Sequence, residues 1–175
     1  NAVLEGSDAV MLSGESAAGD YPAESVLTQA KIAKRAECVY DYAACLRKNY
    51  KQINPSVEKL VAMAVVSTAH KLDEVKLIIA VTNSGATARA ISQMKPKTPI
   101  LAITSNINVL TSLALNYGVI TEYMPRVSSI DELLDSSVEK AKELGLVKVG
   151  DLVVISAGSI EAKGNTDLMK VREVK

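Results

Sequence analysis

A run of small and hydroxyl-bearing side chains connects an apolar segment, residues 77–81, to a segment with a helical pattern, residues 85–94. The candidate residues in this run are Thr82, Asn83, Ser84, Gly85 and Thr87. The first turn of a helix has backbone N–H groups without intrahelical partners, and the helix dipole favours an anion at that end. Hydroxyl side chains and a glycine allow a phosphate to come close to those groups. The run is therefore a candidate phosphate-binding loop.

In a second interpretation, the same run has only a structural role. Ser84 or Thr87 could cap the helix, because strand-to-helix turns commonly place serine or threonine at the N-cap position. The run has neither the lysine of a Walker A loop nor the three glycines of a dinucleotide-binding fingerprint. From these residues alone, helix capping and anion binding both stay open.

The elements that would hold this run alternate along the chain. Strand-like segments and helical segments follow one another at residues 57–71, 77–81, 85–94, 100–104, 106–116, 119–122, 130–144 and 152–156. Such alternation with short loops predicts an α/β fold, in which helices cover both faces of a parallel sheet. Residues 166–171 alternate between apolar and polar without a preceding helix, so we expect a fifth, antiparallel edge strand.

The amino-terminal part is organised differently. Residues 8–12 have the pattern of a short apolar strand, and a helical stretch runs from Pro22 to about residue 49 with a break expected near Ala36. One strand between helices is not a domain. We therefore interpret this part as the last strand and helix of a larger parallel-stranded body.

Composition limits the classes of partner. Twenty basic and twenty acidic residues give a formal net charge of zero, so composition does not favour binding to nucleic acid or to a membrane surface. No apolar run approaches the roughly 18 residues of a membrane span, and we find no signal peptide. We expect a cytoplasmic protein.

Two cysteines and one histidine are the residues most often linked to metal or redox chemistry. If Cys38 and Cys45 lie on one continuous helix, they are about 10 Å apart, which is too far for a disulfide. We expect both to be buried as small apolar side chains, at the core or at a subunit contact. His70 lies in the last turn of a predicted helix with no second ligand near it in sequence, so we predict no metal site.

Residues 6–22, GSDAVMLSGESAAGDYP, closely resemble the end of the catalytic barrel of the pyruvate kinase family. The resemblance continues in order through residues 97–106, 145–151 and 164–171, and it covers essentially the whole chain. It implies that residues 1–35 are the terminal unit of a (β/α)8 barrel. Residues 36–175 then form the C-terminal regulatory domain, a three-layer α/β/α sandwich around a mixed five-stranded sheet.

The family transfers the phosphoryl group of phosphoenolpyruvate to ADP, with Mg²⁺ and usually K⁺. The resemblance places the residues that perform this transfer on earlier barrel strands. We therefore expect no catalytic residue in this chain and interpret Glu15 as part of a loop near the barrel mouth. Expected partners are the rest of the barrel and further copies of the chain, in a homodimer or homotetramer formed through the C-terminal domain.

The resemblance also implies an effector site. In the family, the turn that contains Thr82, Asn83, Ser84, Gly85 and Thr87 here binds a phosphate of an allosteric activator. A late loop closes over the ligand, and its residues in this sequence are Gly158, Gly164, Asn165 and Thr166.

Two departures from the family pattern weaken the positive charge expected at this site. Asn83 and Ala86 occupy positions where activated members often have lysine or arginine, and no arginine or tryptophan lies between Val127 and Val171. These departures favour a monophosphate, such as a sugar phosphate or a nucleotide. The alternative is a purely structural domain, in which helices at residues 26–49 and 57–71 join subunits across a two-fold axis and no effector binds.

Overall fold

The computed structural model describes residues 1–52, 54–158 and 166–175. Two compact units are present, Asn1–Asp41 and Tyr42–Lys175. The first contains helices α1 (Gly14–Ala17) and α2 (Pro22–Glu37). The predicted domain boundary between residues 35 and 36 falls near the end of α2 and stays a prediction.

The strand predicted at residues 8–12 does not form. A strand needs neighbouring strands to pair its backbone N–H and carbonyl groups. Unit Asn1–Asp41, all of which is described, contains helices and turns and no strand. The apolar pattern of residues 8–12 is typical of a strand, but the prediction is wrong for this unit, which contains no other strand to pair with it.

The helical stretch breaks where the sequence predicted. Helix α2 ends at Glu37 and α3 (Tyr42–Gln52) begins four residues after Cys38. The two cysteines therefore lie on different helical segments, and the assumption that they share one helix is wrong. Both are free thiols; Cys38 is exposed and Cys45 is half-buried, so burial in the core is wrong for Cys38.

Unit Tyr42–Lys175 has the predicted alternation. After α3 it contains α4 (Val57–Lys71), β1 (Val75–Val81), α5 (Ala86–Gln93), β2 (Ile100–Thr104), α6 (Ile107–Leu113), β3 (Val119–Tyr123), α7 (Ile130–Glu143), β4 (Leu152–Gly158) and β5 (Thr166–Glu173). The strands form one sheet in the order β3-β2-β1-β4-β5. All neighbouring pairs are parallel except β4 and β5, which are antiparallel. The mixed five-stranded sheet is confirmed.

Helices cover both faces of this sheet. On one face, residues of α4, α5 and α6 pack with Ile78 and Ala80 of β1. On the other face, residues of α7 pack with Leu77 and Ile79. Successive residues of β1 thus enter opposite cores, as the period of two in a strand requires, which is why residues 77–80 are all apolar and fully buried. The three-layer α/β/α arrangement is confirmed.

Among residues 1–52, 54–158 and 166–175, no helix is long and apolar enough to span a membrane.

Candidate phosphate-binding site

The candidate loop leaves the sheet at the carboxyl end of β1, the central strand. The N–H of Thr82 donates to the Ile103 carbonyl at 2.9 Å and so continues the pairing of β1 with β2. The Thr82 side chain is buried, and its Oγ1 accepts a hydrogen bond from the Gly85 N–H at 2.9 Å. This hydrogen bond therefore stabilises the turn and positions the start of α5.

The N-cap residue of α5 is Gly85, and not Ser84 or Thr87 as the capping interpretation expected. Its φ is 83°, in the left-handed region where glycine is favoured because it has no Cβ. Glycine also has no side chain with which to cap the helix. Ser84 contributes only a long local bond, because its Oγ accepts from the Ala86 N–H at 3.4 Å.

The next two backbone N–H groups, those of Thr87 and Ala88, have no hydrogen-bond acceptor within the described part of the chain. Both residues are buried. A buried N–H without an acceptor is unfavourable, and the helix dipole adds positive potential at the same place. The first turn of α5 is thus suited to accept an anion.

A buried pair of hydroxyl groups joins this turn to the edge strand. The Oγ1 atoms of Thr87 and Thr166 are hydrogen-bonded to each other, and both side chains are buried. Thr166 begins β5 and pairs with Gly158, the last residue of β4. The structure therefore brings together Thr87, Gly158 and Thr166, which the sequence picked out in two separate segments. Gly164 and Asn165 lie outside the described residues.

Arg89 is the residue that the sequence reasoning missed. Its side chain folds back along α5, and its Nη2 donates to the Ser84 carbonyl at 2.5 Å. A Cβ placed on Gly85 would lie 2.7 Å from Nη1 of Arg89, so a glycine at this position leaves room for the guanidinium group. The sequence did contain a signal, because helical side chains point towards the amino terminus and Arg89 lies one turn after Gly85. The loop thus has a positive charge despite Asn83 and Ala86.

The Glu15 carboxylate accepts a hydrogen bond from a residue close to it in the chain. Its Oε2 accepts a hydrogen bond from the Ser13 N–H at 3.0 Å, at the start of α1. Hydrogen bonds from the Glu15 and Ser13 backbone N–H groups lower the pKa of this carboxyl group. Glu15 is the second residue of α1 and not a loop residue, and its position near the barrel mouth stays a prediction.

Comparisons with known proteins give two family matches along the chain. The model described as the barrel domain of pyruvate kinase matches residues 1–26, and the model described as the alpha/beta domain of pyruvate kinase matches residues 59–172. A pyruvate kinase of Bacillus licheniformis is 43% identical over 171 residues, a match that covers 98% of this chain and 29% of that protein. One of Geobacillus stearothermophilus is 44% identical over 175 residues, with 99% and 30% covered.

Solved structures agree with the sequence comparisons. A pyruvate kinase from Cryptosporidium parvum superimposes with a TM-score of 0.90 at 32% identity, covering 100% of this chain and 35% of that chain. A Cryptosporidium parvum pyruvate kinase in complex with ADP has a TM-score of 0.87 at 32% identity, covering 100% of this chain and 35% of that one. The chain spans about a third of the length of the relatives that it matches.

Proposed function

Since this chain belongs to the pyruvate kinase family, we propose that it is the regulatory domain of a pyruvate kinase, joined to the last strand and helix of the catalytic barrel. The order of the two family matches supports this proposal, as does the one-third coverage of the relatives. The longer protein would transfer the phosphoryl group of phosphoenolpyruvate to ADP. Phosphoryl transfer needs cations and positioning groups gathered around the moving phosphate, and this chain alone would not assemble them.

The ions and partners of the longer protein follow from the same proposal. Among the residues that the structure describes, no group of three or more His, Cys, Asp or Glu side chains could hold a metal ion. Membership of the family is what implies Mg²⁺ and K⁺ for the longer protein. The longer protein would work in the cytoplasm as a homodimer or homotetramer.

The effector part of the proposal is that a phosphorylated small molecule binds at the first turn of α5. The observation that carries it is that the backbone N–H groups of Thr87 and Ala88, two buried residues, have no acceptor among the described residues. The Arg89 guanidinium beside the turn adds positive charge. We expect one phosphate group to bind, because no arginine between Val127 and Val171 is available for a second.

Ala86→Asp tests this site with little risk to the fold. Ala86 is the first helical residue of α5, where a carboxylate is stabilised by the helix dipole by about 0.3–1 kcal/mol. The same carboxylate would repel a phosphate from the neighbouring N–H groups. Asn108→Asp is the matched control, since it adds the same charge to the first turn of α6.

The measurement is a thermal-shift screen of the chain against fructose 1,6-bisphosphate, ribose 5-phosphate, glucose 6-phosphate and AMP, with inorganic phosphate as a reference. A ligand at about 100 times its Kd stabilises the native state by about 2.7 kcal/mol, a shift of several degrees. We expect a selective shift in the wild type and in Asn108→Asp that is lost in Ala86→Asp. Absence of any shift in the wild type would refute effector binding.

Exposed apolar side chains favour a second role in subunit assembly. On α4, Val57 is 65% and Leu60 is 49% exposed, and on β5 Met169 and Val171 are each 39% exposed. A purely structural interface domain would use such residues and leave the α5 turn without ligand. Leu60→Glu should then lower the mass measured by analytical ultracentrifugation, and it should leave any ligand-induced thermal shift unchanged. The two roles can coexist.

A further inference from the structure

The positive charge of Arg89 is held against the candidate loop without a carboxylate partner in the described structure. Its Nη2 donates to the Ser84 carbonyl, and the ion pairs found elsewhere in the unit involve Lys140, Lys142 and Arg172. A guanidinium group has five N–H donors in a planar fork that matches the oxygens of a phosphate. Arg89 is half-buried, so its charge lies at the edge of the turn rather than in open solvent. This charge is therefore available to an anion at the turn.

A separate observation on β4 also points to a missing polar partner on this side of the sheet. The Ser156 hydroxyl is fully buried and has no hydrogen-bond partner in the part of the chain that the structure describes. Ser156 pairs in register with Ala80, two residues before Thr82 on β1. Val154 and Ala80 both pack in the core beneath α4 and α5, so the strand period of two places the Ser156 side chain on that same face. A buried hydroxyl is normally hydrogen-bonded, to protein, ordered water or ligand.

We propose that Arg89 is the residue by which this site selects a doubly charged phosphate monoester, an inference that rests on the effector binding proposed above. The Arg89 guanidinium group contacts Ser84 and Gly85, directly before the Thr87 and Ala88 N–H groups, so an anion on those groups would bind beside it. The end of a helix supplies only about half an elementary positive charge, so a guanidinium group beside it should add most to the binding of an anion with a second negative charge. Gly85 contributes by leaving the space that the guanidinium group occupies.

The test compares two ligands that differ by one charge. Ribose 5-phosphate is a dianion near neutral pH, and its methyl phosphodiester is a monoanion of nearly the same shape. Isothermal titration calorimetry gives the Kd of each ligand for the chain in four forms: wild type, Arg89→Gln, Arg89→Lys and Arg47→Gln. Arg47 is an exposed residue of α3 and controls for loss of one positive charge elsewhere.

We expect the wild type and Arg47→Gln to bind the dianion about ten-fold or more tightly than the monoanion, as one charge-assisted contact permits. In Arg89→Gln, the preference for the dianion should largely disappear. In Arg89→Lys, it should largely remain because the positive charge is kept. If Arg89 only supported the loop, Arg89→Gln would weaken both ligands by the same factor and leave the ratio unchanged.

Two outcomes separate this inference from the proposed function. In the first outcome, the wild type binds ribose 5-phosphate and Arg89→Gln has the same ratio of the two Kd values as the wild type. This result would overturn the role of Arg89 and leave effector binding intact. A wild type that binds neither ligand overturns both. If Arg89→Gln does not unfold cooperatively, the Arg89→Lys variant tests the inference instead. Loss of the preference for the dianion in Arg89→Lys would contradict selection by charge.

Discussion

The hydroxyl pair Thr87–Thr166 offers a sharp test of how the edge strand is joined to the candidate site. Both side chains are buried, and each hydroxyl is the partner of the other. Thr166→Val removes one hydroxyl and keeps the shape of the side chain. The hydroxyl of Thr87 is then left buried without its partner.

The expected cost follows from that loss. An unsatisfied buried hydroxyl costs about 1–3 kcal/mol, whereas replacing both partners with apolar groups of the same shape is nearly neutral. We therefore expect Thr166→Val to lower the free energy of unfolding by about 1–3 kcal/mol. For a unit of this size, that corresponds to a decrease in Tm of about 4–11 °C. The double variant, with Thr87→Val added, should recover most of this loss.

The assay is urea unfolding followed by circular dichroism for the wild type, both single variants and the double variant. The interaction free energy from this double-mutant cycle should be about 1 kcal/mol or more. Two single variants as stable as the wild type, or a double variant that loses the sum of both single losses, would refute the argument that these hydroxyls satisfy each other.

Two further predictions concern side chains in and near the first unit. Cys38 should react with a thiol reagent faster than Cys45, because Cys38 is exposed and Cys45 is half-buried. The variant Cys38→Ser should abolish the fast phase of the reaction. Equal reaction rates for the two thiols would contradict the structure. Because backbone N–H groups lower the pKa of Glu15 in the folded chain, its contribution to the α1 turn should be complete above the ordinary pKa of 4.5 and disappear as pH falls through the lowered folded value. An NMR titration of the Glu15 carboxyl and the Ser13 amide measures this, and a Glu15 pKa of 4.5 or higher would show the prediction to be wrong.

The order and type of elements in the second unit could be predicted from the sequence because local patterns decide them. Strand β2, residues 100–104, is apolar at every position except Thr104 and buried on both faces, and it forms where predicted. The antiparallel direction of β5 could be predicted because the sequence before it has no helical pattern, and the structure confirms that direction. The strand at residues 8–12 has an equally clear pattern but needs partners that local sequence does not supply.

The candidate site was predictable only in part. Thr82, Gly85 and Thr87 could be proposed from residue type and position in a strand-to-helix turn. The bond from the Gly85 N–H to the Thr82 hydroxyl is local and typical of such turns. The bond between the Thr87 and Thr166 hydroxyl groups could not be predicted, because it joins distant parts of the chain and depends on three-dimensional packing. Arg89 was missed because it lies one turn into α5, outside the loop, although its side chain reaches back to the loop.

The pairing of Gly158 with Thr166 has a consequence for how this family of domains can diversify. The chain between these two positions starts and returns at neighbouring points of the sheet edge, and the hydroxyl pair of Thr166 and Thr87 fastens the return to α5. Closing a loop costs only about 0.6 kcal/mol more for each doubling of its length. We therefore expect residues added between positions 158 and 166 to lower the free energy of unfolding only slightly and to leave the register of β4 and β5 unchanged. The pairing of β4 with β5 does not set the length of this connection, so related domains can differ in length there while the sheet keeps the same strand order.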